Sequence, residues 1–299
     1  MIQVANAPCS WGVLEFELEG EAAACGQVLD EMQQTGYAGT ELGDWGFMPS
    51  DPQQLADELG QRDLQLLGAF VPVALANGDT HASGQEVARR TAQLMRDAGF
   101  PDAFIVLADD NGSDPTRTKY AGRIQANQGL SQADWTTFAK GADEVARTVK
   151  DSTGLRTVFH HHCAGYVETP DEIEELLKRT KAEQLGLVLD MGHLTFAGGD
   201  PVLALEQWCD RIWHIHYKDC HPGVAEQSRE RGWDYFESVK HGVFCKLGEG
   251  EVDFPAITQA LRDHCDDGWI VVEQDVLPGM GDPKSCAQHN RDYLKSLGL

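Results

Sequence analysis

The sequence predicts an α/β fold, a single (β/α)8 barrel, on three observations. Short apolar runs alternate with amphipathic helical stretches eight times along the chain, the pattern of a parallel sheet and the number of strands that closes a barrel. The length of 299 residues suits one such domain, which typically needs roughly 250. Four of the runs end in metal-binding residue types: TVFHHH reaches His162, LGLVLDMGH carries Asp190 and His193, IWHIHYKD carries His214 and His216, and WIVVEQD carries Glu273.

Strands are expected over residues 2–8, 39–42, 64–71, 103–108, 155–161, 185–190, 211–217 and 269–274. Helical stretches follow them, among them EAAACGQVLDEMQQ, GQEVARRTAQLMRDA, SQADWTTFAKGADEVARTVKD, TPDEIEELLKRT and DFPAITQALRDH. Thr169 before Pro170 and Asp200 before Pro201 are start signals, a capping side chain followed by a proline preset for the first turn. Between the seventh and eighth runs the chain is longer than one helix needs. Residues 219–252 are therefore expected as a long loop inserted over the catalytic face, and the single domain spans 1–299. The insertion carries Trp233, Tyr235, Phe236 and Phe244, which suits either a lid that excludes water or a dimer contact.

Composition narrows the function classes. A net charge of −24 repels phosphate backbones and anionic membrane surfaces, so neither a nucleic acid nor a membrane is an expected partner. No signal-like start and no run of about 18 apolar residues occurs, so a cytoplasmic protein is expected. Eight scattered cysteines without a CxxC pair read as free thiols in a reducing compartment.

Alternate residues of a strand share a face, and the carboxyl ends of barrel strands carry the chemistry. His160, Asp190, His216 and Glu273 thus converge from the last four runs, and two imidazoles with two carboxylates suit Mn²⁺, Co²⁺, Zn²⁺ or Fe²⁺ better than Mg²⁺. Without a cation the same residues would need several buried charge compensations. Around them, His162 and His193 are candidates for substrate contact or for hydrogen bonding behind the ligands. His214 lies one layer deeper and reads as core. Glu41, in GTELGDW, is a candidate general base, with a structural ion pair as the alternative. Lys218 stands at the cavity rim, able to assist a leaving hydroxyl or to form a surface ion pair. Trp11 is a candidate stacking platform for a polyol ring, with core packing as the alternative. No organic cofactor site is expected.

The stretches FHHHCAGYVETPDEI, GLVLDMGHLTFAGGDP, RIWHIHYKDC and GVFCKLGEGEVDFPAI together resemble the xylose-isomerase-like TIM-barrel superfamily of sugar isomerases and epimerases, and within it most nearly the inosose dehydratases. The resemblance spans nearly the whole chain. It implies a metal-dependent dehydratase acting on an inosose-like cyclic polyol ketone through a metal-stabilised enediolate, with Mn²⁺ or Co²⁺ as the metal. Asp190, His216 and Glu273 match the superfamily's ligand positions, whereas His160 stands where many isomerases and epimerases carry glutamate. That departure favours the dehydratase over the alternative, a metal-dependent isomerase or epimerase. A non-catalytic sugar-binding barrel is the remaining reading. The expected catalytic residues are Glu41, His162 and His193 with Lys218 assisting; Trp11, His162, His193 and Lys218 would contact an unphosphorylated polyol ketone or sugar. A homo-oligomer is compatible with all of this.

Overall fold

The computed structural model describes residues 2–12, 23–264, 267–277 and 279–299. Among the described residues ten strands are present: β1 (Ile2–Asn6), β2 (Gly39–Glu41), β3 (Gln65–Pro72), β4 (Phe104–Ala108), β5 (Arg156–His160), β6 (Leu185–Asp190), β7 (Ile212–Tyr217), β8 (Asp219–Cys220), β9 (Phe244–Cys245) and β10 (Gly268–Val272). Eight of them close a parallel barrel in the order β1-β10-β7-β6-β5-β4-β3-β2, and β8 pairs antiparallel with β9 outside it. The predicted fold class is thus the observed one. The first and eighth runs are shorter than expected, because Pro8 begins a 3-10 turn, Pro8–Trp11, and the β10 ladder stops at Val272.

Strand alternation sets the layers. Phe159, Leu187, Leu189, Ile215 and Tyr217 belong to the large core between sheet and helices. Their neighbours Val158 and Val188 pack with Phe104 and Val106 in a separate apolar cluster. His160, Asp190, His214 and His216 continue that second face along the same strands, so polar groups occupy the carboxyl-terminal part of the barrel interior. Capping follows a repeated dipeptide. Asp51, Asp114, Thr169, Asp200 and Asp282 each accept a backbone N–H of the helix they precede, and each is followed by proline. These caps fix where each loop at the catalytic face ends and its helix begins.

Residues 219–252, expected as a long loop, instead hold two helices, Pro222–Arg231 and Tyr235–Lys240, besides β8 and β9. The first helix has only Val224 and Ala225 as clearly apolar positions, so no 3.6-residue period marked it in the sequence. The segment makes its own small core: Cys220, Ala225, Tyr235, Val239, Val243 and Phe244 pack on Cys163, Ala164 and Phe196. Asp219 anchors it, accepting the backbone N–H groups of Cys220, Gly248, Gly250 and Val252 at 2.8–3.2 Å. Among the described residues no helix is long and apolar enough to cross a membrane.

The loop after β5 is held by a buried carboxylate. Glu168 accepts Gly122 N–H at 2.7 Å and Ala164 N–H at 2.9 Å. Burial pushes its pKa up to about 7 although Arg117 pulls the other way. The unfolded value is about 4.3, so the native chain holds the extra proton between these values. The stabilisation is present in full below about pH 4.3 and is lost as pH rises to about 7, to the extent of about 4 kcal/mol at most. Urea unfolding of metal-free protein at pH 5 and pH 8 is expected to show a smaller fall in stability with pH for Glu168→Gln than for the parent. An equal fall in both would assign the pH dependence to other groups.

Candidate active site

Four side chains meet above the apolar layer, one from each of β5, β6 and β7 and one just past β10. His160 Nε2 lies 3.1 Å from His216 Nδ1, which lies 3.4 Å from Glu273 Oε1. Asp190 Oδ2 lies 3.7 Å from each of those imidazole nitrogens. One donor atom from each of the four residues falls within 4.8 Å of all the others. Donors bound to one cation at about 2.0–2.2 Å sit about 3.0–3.6 Å apart, so the cluster needs little adjustment to hold a transition metal. Asp190 Oδ2 is fully buried yet has no hydrogen-bond partner among the described residues, a costly state for a carboxylate oxygen that a bound cation relieves. The residues therefore fit a divalent metal, and the imidazole–carboxylate mixture is the chemistry such metals take.

Local structure explains each placement. Asp190 ends β6 and caps the helix Met191–Phe196, with Oδ1 accepting His193 N–H at 2.9 Å, which leaves Oδ2 turned to the cluster. Lys218 follows β7 and is buried, not at the rim as expected. Its Nζ lies 3.1 Å from Glu273, 3.5 Å from Asp275 and 4.0 Å from Asp190. Gly192 makes room for it, since a Cβ there would stand 2.6 Å from Lys218 Cγ.

The electrostatics follow from close packing of opposite charges. Burial opposes the charge on Lys218, but Asp275, Glu273 and Asp190 outweigh it and hold the ammonium charged. For His216, burial is likewise outweighed by Glu273 and Glu41, which raise its pKa. Burial would raise Glu273, yet His216 and Lys218 bring it down to about 2. His162 and His193 go the other way: burial, with charged neighbours adding to it, lowers both, so these imidazoles are neutral.

The cavity beside the cluster is lined by His160, His162, His216, Lys218, Glu41, Glu273, Asp275, Phe70 and Tyr235, together with Ala7, Pro8, Cys9, Gly43 and Asp44. Of the residues singled out in the sequence around the four donors, Glu41 and Lys218 line it, and so does His162. Its ring stands 5.6 Å from that of His160, and the Tyr235 phenol lies 3.4 Å from its Nε2. His193 is fully buried behind it, with ring centroids 3.8 Å apart and Nε2 3.3 Å from Lys218 Nζ. Glu41 is engaged by two imidazoles, His214 Nε2 at 2.7 Å and His216 Nε2 at 3.1 Å. His214, read as core, is thus part of the polar network.

Trp11 requires a correction. It packs in the large core, and its indole N–H donates to Glu31 at 2.7 Å, so it offers no stacking face to the cavity. The 3-10 turn that follows β1 carries it away from the strand end. Asp275 and Phe70 escaped the sequence reading, whereas Tyr235, expected in the insertion as part of a lid or of a dimer contact, lines the cavity. Asp275 is two residues after Glu273 and lines the same cavity, so the alternation in VVEQD held a signal for it.

The chain matches the family model described as xylose isomerase-like TIM barrel over residues 29–297. It belongs to that family. An inosose dehydratase of Geobacillus kaustophilus is 29% identical over 99% of this chain and 94% of its own length. The rhizopine catabolism protein MocC of Rhizobium meliloti is 31% identical over 99% of this chain and 88% of its own. Among solved structures, the probable 3-DHS dehydratase AsbF of Bacillus anthracis superposes with a TM-score of 0.71 at 15% identity, covering 99% of each chain.

Proposed function

We propose that this protein is a divalent-metal-dependent hydro-lyase that removes water from an inosose-like cyclic polyol ketone. The observation that carries the reading is the buried four-donor cluster beside a neutral imidazole and a charged ammonium, in a chain with a full-length inosose dehydratase relative. His160, Asp190, His216 and Glu273 would hold the cation, Mn²⁺ or Co²⁺, with Zn²⁺ and Fe²⁺ also suited to the donor set. When bound, such a cation draws charge from a ketone oxygen and acidifies the adjacent C–H bond.

His162 is the base in this reading, because its neutral ring lines the cavity. It takes the proton from the carbon next to the ketone. The electron pair left behind forms a carbon–carbon double bond as the β-hydroxyl departs. Lys218 supplies a proton to that hydroxyl, which leaves as water, and the remaining enol relaxes to a diketone. His193 braces Lys218 and His162 from behind and does not meet the substrate. Tyr235 brings the insertion against His162 and acts as a lid that keeps bulk water from the reacting atoms.

The test is mass analysis of product after protein loaded with Mn²⁺ or Co²⁺ is incubated with scyllo-inosose in deuterated water. Metal-dependent loss of one water is expected, and it should disappear in His216→Ala and Glu273→Ala. Deuterium uptake without loss of water would move the protein to the isomerases and epimerases, and unchanged ketone would reject this substrate class.

A further inference from the structure

We infer that Glu41 and His214 are positioning residues for His216: His214 fixes Glu41, and Glu41 fixes the tautomer and direction of His216 so that Nδ1 presents its lone pair to the cation site. The inference rests on the metal reading given above. It assigns to Glu41 a role other than general base.

The geometry carries it. β7 turns His214 and His216 to the same inner face, with ring centroids 5.2 Å apart and planes at 77°. Glu41 Oε1 sits between them and accepts from both Nε2 atoms, at 2.7 and 3.1 Å. In the neutral form that binds a cation, an imidazole has one N–H and one lone pair, so committing Nε2–H of His216 to a carboxylate leaves the lone pair on Nδ1. Nδ1 is the atom that faces His160, Glu273 and Asp190. His160 provides the contrast, because its Nδ1 is buried without a hydrogen-bond partner among the described residues. Of the two imidazoles in the cluster, His216 is therefore the one held from behind. Partners of this kind orient a metal-binding histidine and raise its basicity, and their loss typically weakens metal binding about 10–100-fold.

Each member of the chain is itself fixed. His214 packs on the Phe104 ring with centroids 5.4 Å apart, which seats it on the apolar layer below. Glu41 occupies a slot opened by a glycine: a Cβ at Gly68 would stand 3.2 Å from Glu41 Oε1 and 2.9 Å from Val106 Cγ2. The register of β2 against β3 also shifts between Thr40 and Glu41, which brings the carboxylate over Gly68. The sequence thus provides a shelf, a slot and two donors for one carboxylate oxygen.

The test measures Co²⁺ affinity by competition with a chelator and the visible absorption of the bound ion, in the full chain and in Glu41→Ala, Glu41→Gln and His214→Phe. Glu41→Ala and His214→Phe are expected to bind Co²⁺ about 10–100-fold more weakly, with an altered absorption spectrum that reports a misdirected imidazole. Glu41→Gln keeps an oxygen where both imidazoles donate, so it should recover most of the affinity and the parent spectrum. Parent-like binding and spectra in Glu41→Ala and His214→Phe would overturn the positioning role. A Glu41→Gln variant as weak as Glu41→Ala would overturn it too, since charge rather than direction would then be what Glu41 supplies. If the parent chain binds no Co²⁺, the metal reading itself falls, and the inference with it.

Discussion

Asp190→Asn is expected to bind no stoichiometric Mn²⁺ or Co²⁺ and to lose about 10³-fold or more in kcat/KM, several kcal/mol of transition-state stabilisation. The substitution is chosen because it separates fold from site. Oδ1 of Asp190 caps the helix Met191–Phe196 by accepting His193 N–H, and asparagine performs that role equally well. Oδ2, the buried oxygen with no hydrogen-bond partner among the described residues, becomes an NH₂ group pointing where a cation would sit. Native-like unfolding together with lost metal content, read by elemental analysis of dialysed protein, is the expected pair of results. A variant that keeps one equivalent of metal and turns over within tenfold of the parent would remove Asp190 from the donor set.

The second large effect falls on stability. Lys218→Met strips the counter-charge from Glu273, Asp275 and Asp190, all buried, and should destabilise the metal-free protein by about 3–5 kcal/mol. The sign of its pH dependence follows from the direction of the shifts. Lys218 is raised, against its burial, by the three carboxylates, so its stabilisation is present below its unfolded value of about 10.4 and is lost only as pH rises through a higher folded value. Throughout neutral pH the parent keeps it. In the variant, burial and mutual repulsion raise the carboxylates, so stability falls more steeply than in the parent as pH rises from about 4 to neutral. Urea midpoints of chelator-treated protein at pH 5 and pH 8 measure this, and parallel curves for the two proteins would reject the electrostatic account.

The four-donor cluster was legible in the sequence because it obeys strand alternation: an inward residue at the end of a β-strand has few places to go. Eight apolar runs with helical stretches between them fixed the barrel for the same reason. Contacts between strands distant in sequence were less legible. Glu41 meets His214 and His216 across the barrel interior, 173 and 175 residues apart in sequence, and no local pattern reports such a meeting. Trp11 misled because a 3-10 turn replaces the end of the first strand, turning a residue expected at the strand mouth back into the core. Lys218 was expected at the cavity rim because the glycine that makes room for its burial, Gly192, belongs to another strand–helix unit. The helices at Pro222–Arg231 and Tyr235–Lys240 were hidden by their shortness and by an apolar face that residues of other strand–helix units complete, among them Ala121, Cys163, Phe196 and Leu277.

The two feet of the insertion stand side by side. β8 and β9 pair Asp219 with Cys245 and Cys220 with Phe244, and the Asp219 carboxylate gathers the returning chain at Gly248, Gly250 and Val252. Residues 221–243 are thus an excursion that leaves and re-enters the barrel at one point, soon after the strand that supplies His216. In evolutionary terms this is an exchangeable cassette: a lineage can rewrite the wall that Tyr235 presents to the ligand, and so which ring shapes are admitted, without moving any of the four donors. Divergence of substrate preference among barrels of this kind is then expected to concentrate between the two clamped ends, with the chemistry below left unchanged.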